Sequence, residues 1–187
     1  MSDITKQNKD LTPKEIEAHT KISLSERFKL MKQSSNKALL IDISGSMRDL
    51  IPPSFEVSKY QIMQQILEKI PAQNKFCFDT HCERFTKLPK PRGNTALHKA
   101  FDYIKTQNLS EVILVTDGQP DSEALALESA RDLKIDIIYI GPKPVPDFLI
   151  NLAELTNGSF VDANQATLLL NGTIKEIENK IKGFLNA

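Results

Sequence analysis

Residues 37–47, KALLIDISGSM, decide the fold. From Lys37 to Ile43 the run is almost continuously apolar, the pattern of a strand buried on both faces, as in a parallel sheet. It leaves the sheet through Asp42, Ser44 and Ser46, a carboxylate and two hydroxyls in alternation. A chain emerging from a parallel strand turns at the carboxyl edge of the sheet, where open α/β folds place their ligands. Gly45 is read as the residue that lets this turn tighten.

Two further buried strands are predicted downstream, at Glu111 to Thr116 (EVILVT) and Lys134 to Ile140 (KIDIIYI). Weaker strand signals lie at Lys75 to Thr80, Glu83 to Thr86 and Gly158 to Asp162. Between them the spacing predicts helices. Val57, Tyr60, Met63, Leu67 and Ile70 form one apolar stripe, stopped by Pro71. Leu97, Ala100, Phe101 and Ile104 mark a second helix within Thr95 to Gln107; others are expected over Glu123 to Leu133 and Asp147 to Leu155. Strands alternating with helices imply βα units, hence an α/β, doubly wound, mostly parallel sheet with helices on both faces. The Glu83 strand follows the Lys75 strand too closely for a helical crossover, so it is expected as an antiparallel edge strand.

Residues 1–36 differ in character and are expected to form an N-terminal helical extension, with Thr12 and Ser25 as helix caps; residues 37–187 are expected to form the α/β domain that carries the ligand-binding edge. The chain closes on an apolar stripe of Leu170, Ile174, Ile177, Ile181 and Phe184.

Acidic and basic residues balance at 24 each, so overall charge gives no reason to expect nucleic acid or an anionic membrane as partner. Met1 to Asp10 is too polar for a signal peptide, and no apolar run is long enough to span a membrane. A cytoplasmic location is expected.

The turn at Asp42 offers hard oxygen donors, and hydroxyls with few carboxylates suit Mg²⁺, with Mn²⁺ and Ca²⁺ as alternatives. Neutralising a dication asks for a second carboxylate at a neighbouring strand end. Asp117 supplies it directly after EVILVT, and Thr95 in GNTAL adds a hydroxyl where a loop enters a helix. The candidate metal ligands are therefore Asp42, Ser44, Ser46, Thr95 and Asp117.

The succession DxSxS, GNTAL and LVTDGQP resembles the von Willebrand factor type A family, over roughly Lys37 to Ala187. That resemblance implies a six-stranded sheet in the order 3-2-1-4-5-6 and a metal-ion-dependent adhesion site. It implies hydroxyl ligation by Ser44, Ser46 and Thr95, with Asp42 and Asp117 acting largely through water or hydrogen bonds. It also implies an open coordination position filled by an Asp or Glu of a protein partner. The expected function is metal-dependent protein–protein interaction; the alternative is an accessory subunit of an AAA+ ATPase machine, as in metal chelatases. By the same resemblance, the last helix is a candidate for coupling the site to a distant surface.

Catalysis is not expected. Asp42-x-Ser44 lacks the second Asp that haloacid-dehalogenase-like phosphotransfer uses as general acid, and no GxSxG elbow, phosphate loop or GxGxxG is present. Cys77, His81 and Cys82 fall short of four zinc ligands, and Cys77 between two phenylalanines reads as apolar filler. A disulfide between Cys77 and Cys82 runs against a reducing compartment. Lys87, Lys90 and Arg92 read either as a solvated loop or as a basic rim steering an acidic partner. Asp79 is a candidate for orienting the metal shell, and Asp121 for capping the helix that follows it.

Overall fold

The computed structural model describes residues 36–51, 57–70 and 72–162. The expected extension and its caps Thr12 and Ser25, the helix-stopping Pro71, and the C-terminal stripe from Leu170 to Phe184 lie outside the described residues.

Six strands form one sheet: β1 (Lys37–Asp42), β2 (Asn74–Phe78), β3 (Cys82–Arg84), β4 (Glu111–Thr116), β5 (Lys134–Tyr139) and β6 (Phe160–Asp162). Their order is β3-β2-β1-β4-β5-β6. All neighbours pair in parallel except β2 and β3, the expected edge hairpin, where Phe78 faces Cys82. Helices α1 (Lys59–Lys69), α2 (Leu97–Thr106), α3 (Glu123–Ser129) and α4 (Asp147–Leu155) connect them, with a 3-10 turn at Gly45–Arg48. Among the described residues no helix is long and apolar enough to cross a membrane.

The period-two alternation of a strand divides the core in two. Ala38 and Leu40 point to the face covered by α2, α3 and α4, packing with Phe76, Phe101, Leu114 and Leu149. Leu39 and Ile41 point to the opposite face and pack with Met47, Met63, Ile66, Val115 and Ile138. Fully burying one such side chain contributes about 1.5–3 kcal/mol. Both layers are extensive, so the sheet can form without help from a bound ion.

Several elements differ from expectation. Helix α1 buries Met63, Ile66 and Ile70; Tyr60 and Leu67 are only half-buried, and Val57 precedes the helix and is exposed. Ser58 caps this helix in a reciprocal box with Gln61, which fixes its start at Lys59. Lys59 thereby falls on the same face as Met63, Ile66 and Ile70 and is turned inward. Helix α3 ends at Ser129 instead of Leu133, because Asp132 adopts a left-handed conformation (φ 69°) that swings the chain into β5.

The sheet reverses direction at β1. The chain leaving β1 crosses to β2 on one side, while β4 returns to pair on the other. The turns after β1 and β4 therefore diverge and leave a crevice between them, the switch point of a doubly wound sheet.

Candidate metal centre

The crevice holds four of the five predicted ligands in one hydrogen-bonded cluster. Asp42, the last residue of β1, is wholly buried. Its Oδ1 accepts from the Ser44 backbone N–H at 2.8 Å, and its Oδ2 accepts from the Thr116 hydroxyl at 2.6 Å. The Ser44 and Ser46 hydroxyl oxygens lie 3.1 Å apart. Ser46 in turn donates to Asp117 Oδ1 at 3.0 Å. Thr116 thus ties the end of β4 to β1, and Ser46 ties the β1 turn to the residue after β4.

Asp42 carries an electrostatic load. Burial pushes its carboxyl up to about 6, and the negative charge of Asp117 adds to the rise; hydrogen bonds from Thr116 and Ser44 pull partly the other way.

Thr95 is held differently. Its backbone N–H donates to Asp121 Oδ1 at 2.9 Å, while its carbonyl accepts from the Asp121 N–H at 3.0 Å. Among the described residues no hydrogen bond joins Thr95 directly to the other four. Its loop is nevertheless fastened to theirs: Arg92 N donates to Ile43 O at 2.6 Å, Gly45 N to Gly93 O at 3.2 Å, and the Arg48 guanidinium to Pro91 O. The left-handed residue that makes this approach is Gly93 (φ 66°), not Gly45. A Cβ at Gly93 would lie 3.0 Å from Thr80 Oγ1, whereas one at Gly45 would meet only Gly93 O at 3.4 Å.

Asp121 is therefore not the helix cap: Ser122 accepts from Leu125 N and caps α3, which frees Asp121 to pin Thr95. Asp79 makes no bond to the cluster. It accepts from His81 N and, at 2.8 Å, from Arg92 Nε, and its carbonyl accepts from Ala96 N. Burial alone would raise its carboxyl; these donors hold it below the usual range. Arg92 also pairs with Glu83 at 3.2 Å, so its charge is engaged locally although it is exposed to solvent, like Lys87 and Lys90 in the same basic loop. Cys77 packs with Leu39 and Ile41 while Cys82 packs on the opposite face; both are free thiols, pushed up to about 12 chiefly by burial.

Lys59 is the site residue that pattern reading passes over. It is only 8% exposed, and its Nζ lies 2.7 Å from Asp117 Oδ2 and 3.7 Å from Asp49 Oδ2. Backbone bonds to the chain just after the 3-10 turn place it there: Lys59 N donates to Asp49 O, and Ile51 N to Val57 O. Beside the ion pair opens a cleft of about 450 Å³ whose lining includes Ser46, Gln119, Tyr139 and Lys143.

Among the described residues there is no cluster of three or more His, Cys, Asp or Glu side chains able to hold a metal. A transition-metal site built on nitrogen and sulfur does not fit. Two carboxylates with adjoining hydroxyls fit a hard cation that keeps part of its water.

No protein-family model matches the sequence, and no curated protein matches it. Solved structures do. The crystal structure of the ArnB paralog VWA2 from Sulfolobus acidocaldarius matches 72% of this chain at 21% identity, with a TM-score of 0.51. A von Willebrand factor type A protein from Catenulispora acidiphila matches 73% at 14% identity, with the same TM-score. The aligned portion spans 43% and 41% of those two chains, respectively. The fold is that of von Willebrand factor type A domains.

Proposed function

We propose that the crevice binds one divalent cation, Mg²⁺ by donor chemistry, and that the protein uses it to capture an acidic side chain of a protein partner. The observation that carries this reading is the hydrogen-bonded run from Asp42 through Ser44 and Ser46 to Asp117, which gathers hard oxygens from two strand ends at the switch point. Ser44, Ser46 and Thr95 would offer hydroxyls, and Asp42 and Asp117 the charge that a dication needs. When bound, such an ion supplies a positive centre that a carboxylate can join, and a shell of hydroxyls leaves it more electrophilic than a carboxylate cage would.

The surroundings suit a protein ligand. Lys143 stands at the rim of the adjoining cleft, which has room for side chains flanking the captured carboxylate. Charges at such a rim steer encounter more than they add affinity. Catalysis is the weaker reading. Among the described residues the one carboxyl with a value near neutrality, Asp42, is wholly buried with both oxygens engaged, so it is badly placed to take a proton from water.

The test is capture of partners from cell extract by the immobilised chain in Mg²⁺ and in EDTA, with Ser46→Ala as control. Capture that needs Mg²⁺ and is lost in the variant supports the proposal, and the captured protein tells an AAA+ ATPase from another acidic partner. Capture indifferent to EDTA would overturn it.

A further inference from the structure

Lys59 sits where a cation is disfavoured on three counts. It is nearly buried, although a lysine in a helix normally keeps its ammonium in water. It occupies the first turn of α1, at the positive end of the helix dipole. That turn contains no acidic residue to offset it. What holds it is Asp117 Oδ2 at 2.7 Å, an oxygen of a proposed metal ligand. The same carboxylate accepts from Ser46 through its other oxygen. On the solvent side stands Asp49, whose Oδ2 is 3.7 Å from Nζ and whose side chain is 66% exposed.

An ammonium and a divalent ion answer the same need of Asp117, and both cannot be close to it without strong repulsion. We propose, resting on the metal-site reading above, that Lys59 is a resident cation of the site. It neutralises Asp117 when the metal is away, and passes to Asp49 when the metal binds. Asp49 is the natural receiver, since the ammonium has to move only from 2.7 Å contact on one side to contact on the other. The arrangement keeps the β4 turn in place without metal, because the buried carboxylate is never left uncompensated. It also sets a threshold, since an incoming ion has to displace a charge already present. A monovalent ion gains nothing by that exchange, whereas a dication does.

The test titrates Mn²⁺ calorimetrically into the full chain and into Lys59→Met, Asp49→Asn and the double variant. Lys59→Met is expected to bind Mn²⁺ roughly tenfold tighter or more, a gain between that of one contact charge pair in bulk water and that of one near a protein surface. Asp49→Asn is expected to bind several-fold more weakly, and to lose most of that effect when combined with Lys59→Met, since the two residues act as one unit. Lysine labelling of the unsubstituted chain, read by mass spectrometry, gives an independent measure: Lys59 should be protected in EDTA and become several-fold more reactive at saturating Mn²⁺. Should Lys59→Met fail to fold, the labelling and Asp49→Asn decide. Equal or weaker Mn²⁺ binding by Lys59→Met, or labelling unmoved by bound Mn²⁺, would overturn the proposal while leaving the metal site standing. Absence of Mn²⁺ binding from every form would remove the metal site and the proposal together. Binding by Lys59→Met alone would uphold Lys59 as the resident cation and contradict metal use by the native chain.

Discussion

The turns after β1 and β4 each end a buried strand on an aspartate, and they hold those aspartates in opposite ways. Among the described residues Asp42 has only neutral donors, Ser44 N–H and the Thr116 hydroxyl, and no cation pairs with it. Asp117 has one neutral donor, Ser46, and one ammonium, Lys59. Burial is nearly equal, so the difference lies in the partner. Hydrogen bonds orient a carboxylate but do not cancel its charge, and the unrelieved charge shows in the raised value of Asp42. The β4 turn is complete by itself, whereas the β1 turn is one positive charge short.

The largest expected effect follows from removing each carboxylate in turn. Asp117→Asn leaves the buried Lys59 ammonium only the exposed Asp49 as acidic partner and should cost about 3 kcal/mol in EDTA, the low end of what breaking a buried pair costs. Asp42→Asn keeps the shape and removes a charge that nothing balances, so it should leave metal-free stability unchanged or higher. Urea unfolding of both variants measures this, and equal losses would break the contrast.

Next in size is the response to pH. The folded value of Asp42, about 6, lies above its ordinary 3.8, so the folded chain holds that proton more tightly than the unfolded one. Its burial therefore weakens the metal-free protein fully above about pH 6, by on the order of 3 kcal/mol, and the deficit closes as pH falls through 6 towards 3.8. Other carboxylates act against this trend in acid, so the quantity to follow is the stability of the native chain relative to Asp42→Asn at pH 4.5 and 7.5. That difference should shrink at the lower pH.

Metal binding comes close behind. At about one hundred times its dissociation constant, Mg²⁺ should add about 2.7 kcal/mol and raise the melting temperature by roughly 5–10 °C. The same addition should leave Asp42→Asn unmoved. The smallest effects belong to the Thr95 loop. Asp121→Ala removes an acceptor from the Thr95 N–H and should cost about 1 kcal/mol. Thr95→Ala keeps that backbone bond, so stability in EDTA should change by less than about 0.5 kcal/mol. Its loss should appear in Mg²⁺-dependent partner capture instead.

This contrast also marks what the sequence could disclose. The buried strands were legible because strands covered on both faces read as apolar runs; Asp42, Ser44, Ser46 and Asp117 would singly read as cap and turn chemistry, and became legible as one candidate site only through the combination of DxSxS, GNTAL and LVTDGQP. The strand order came with the family resemblance and not from the pattern. Lys59 was hidden by the logic that finds helices: a stripe drawn through Tyr60, Met63 and Leu67 assigns a lysine to solvent. The capped start at Ser58 puts Lys59 in line with Met63, Ile66 and Ile70 instead. Asp121 was misjudged because Asp and Ser cap equally well, so the choice between Asp121 and Ser122 rests on a contact with Thr95, 26 residues away. Thr116 gave one faint signal, a hydroxyl directly before Asp117. Its bond to Asp42 depends on β4 lying beside β1, which no local pattern contains.

The most direct measurement is Mn²⁺ stoichiometry by equilibrium dialysis with paramagnetic detection, on the native chain and on Asp42→Asn shown by circular dichroism to be folded. One ion per native chain and none on the variant is the predicted result. No bound ion on the native chain, or an undiminished one on Asp42→Asn, would contradict the claim that the unbalanced β1 turn is where the metal is needed.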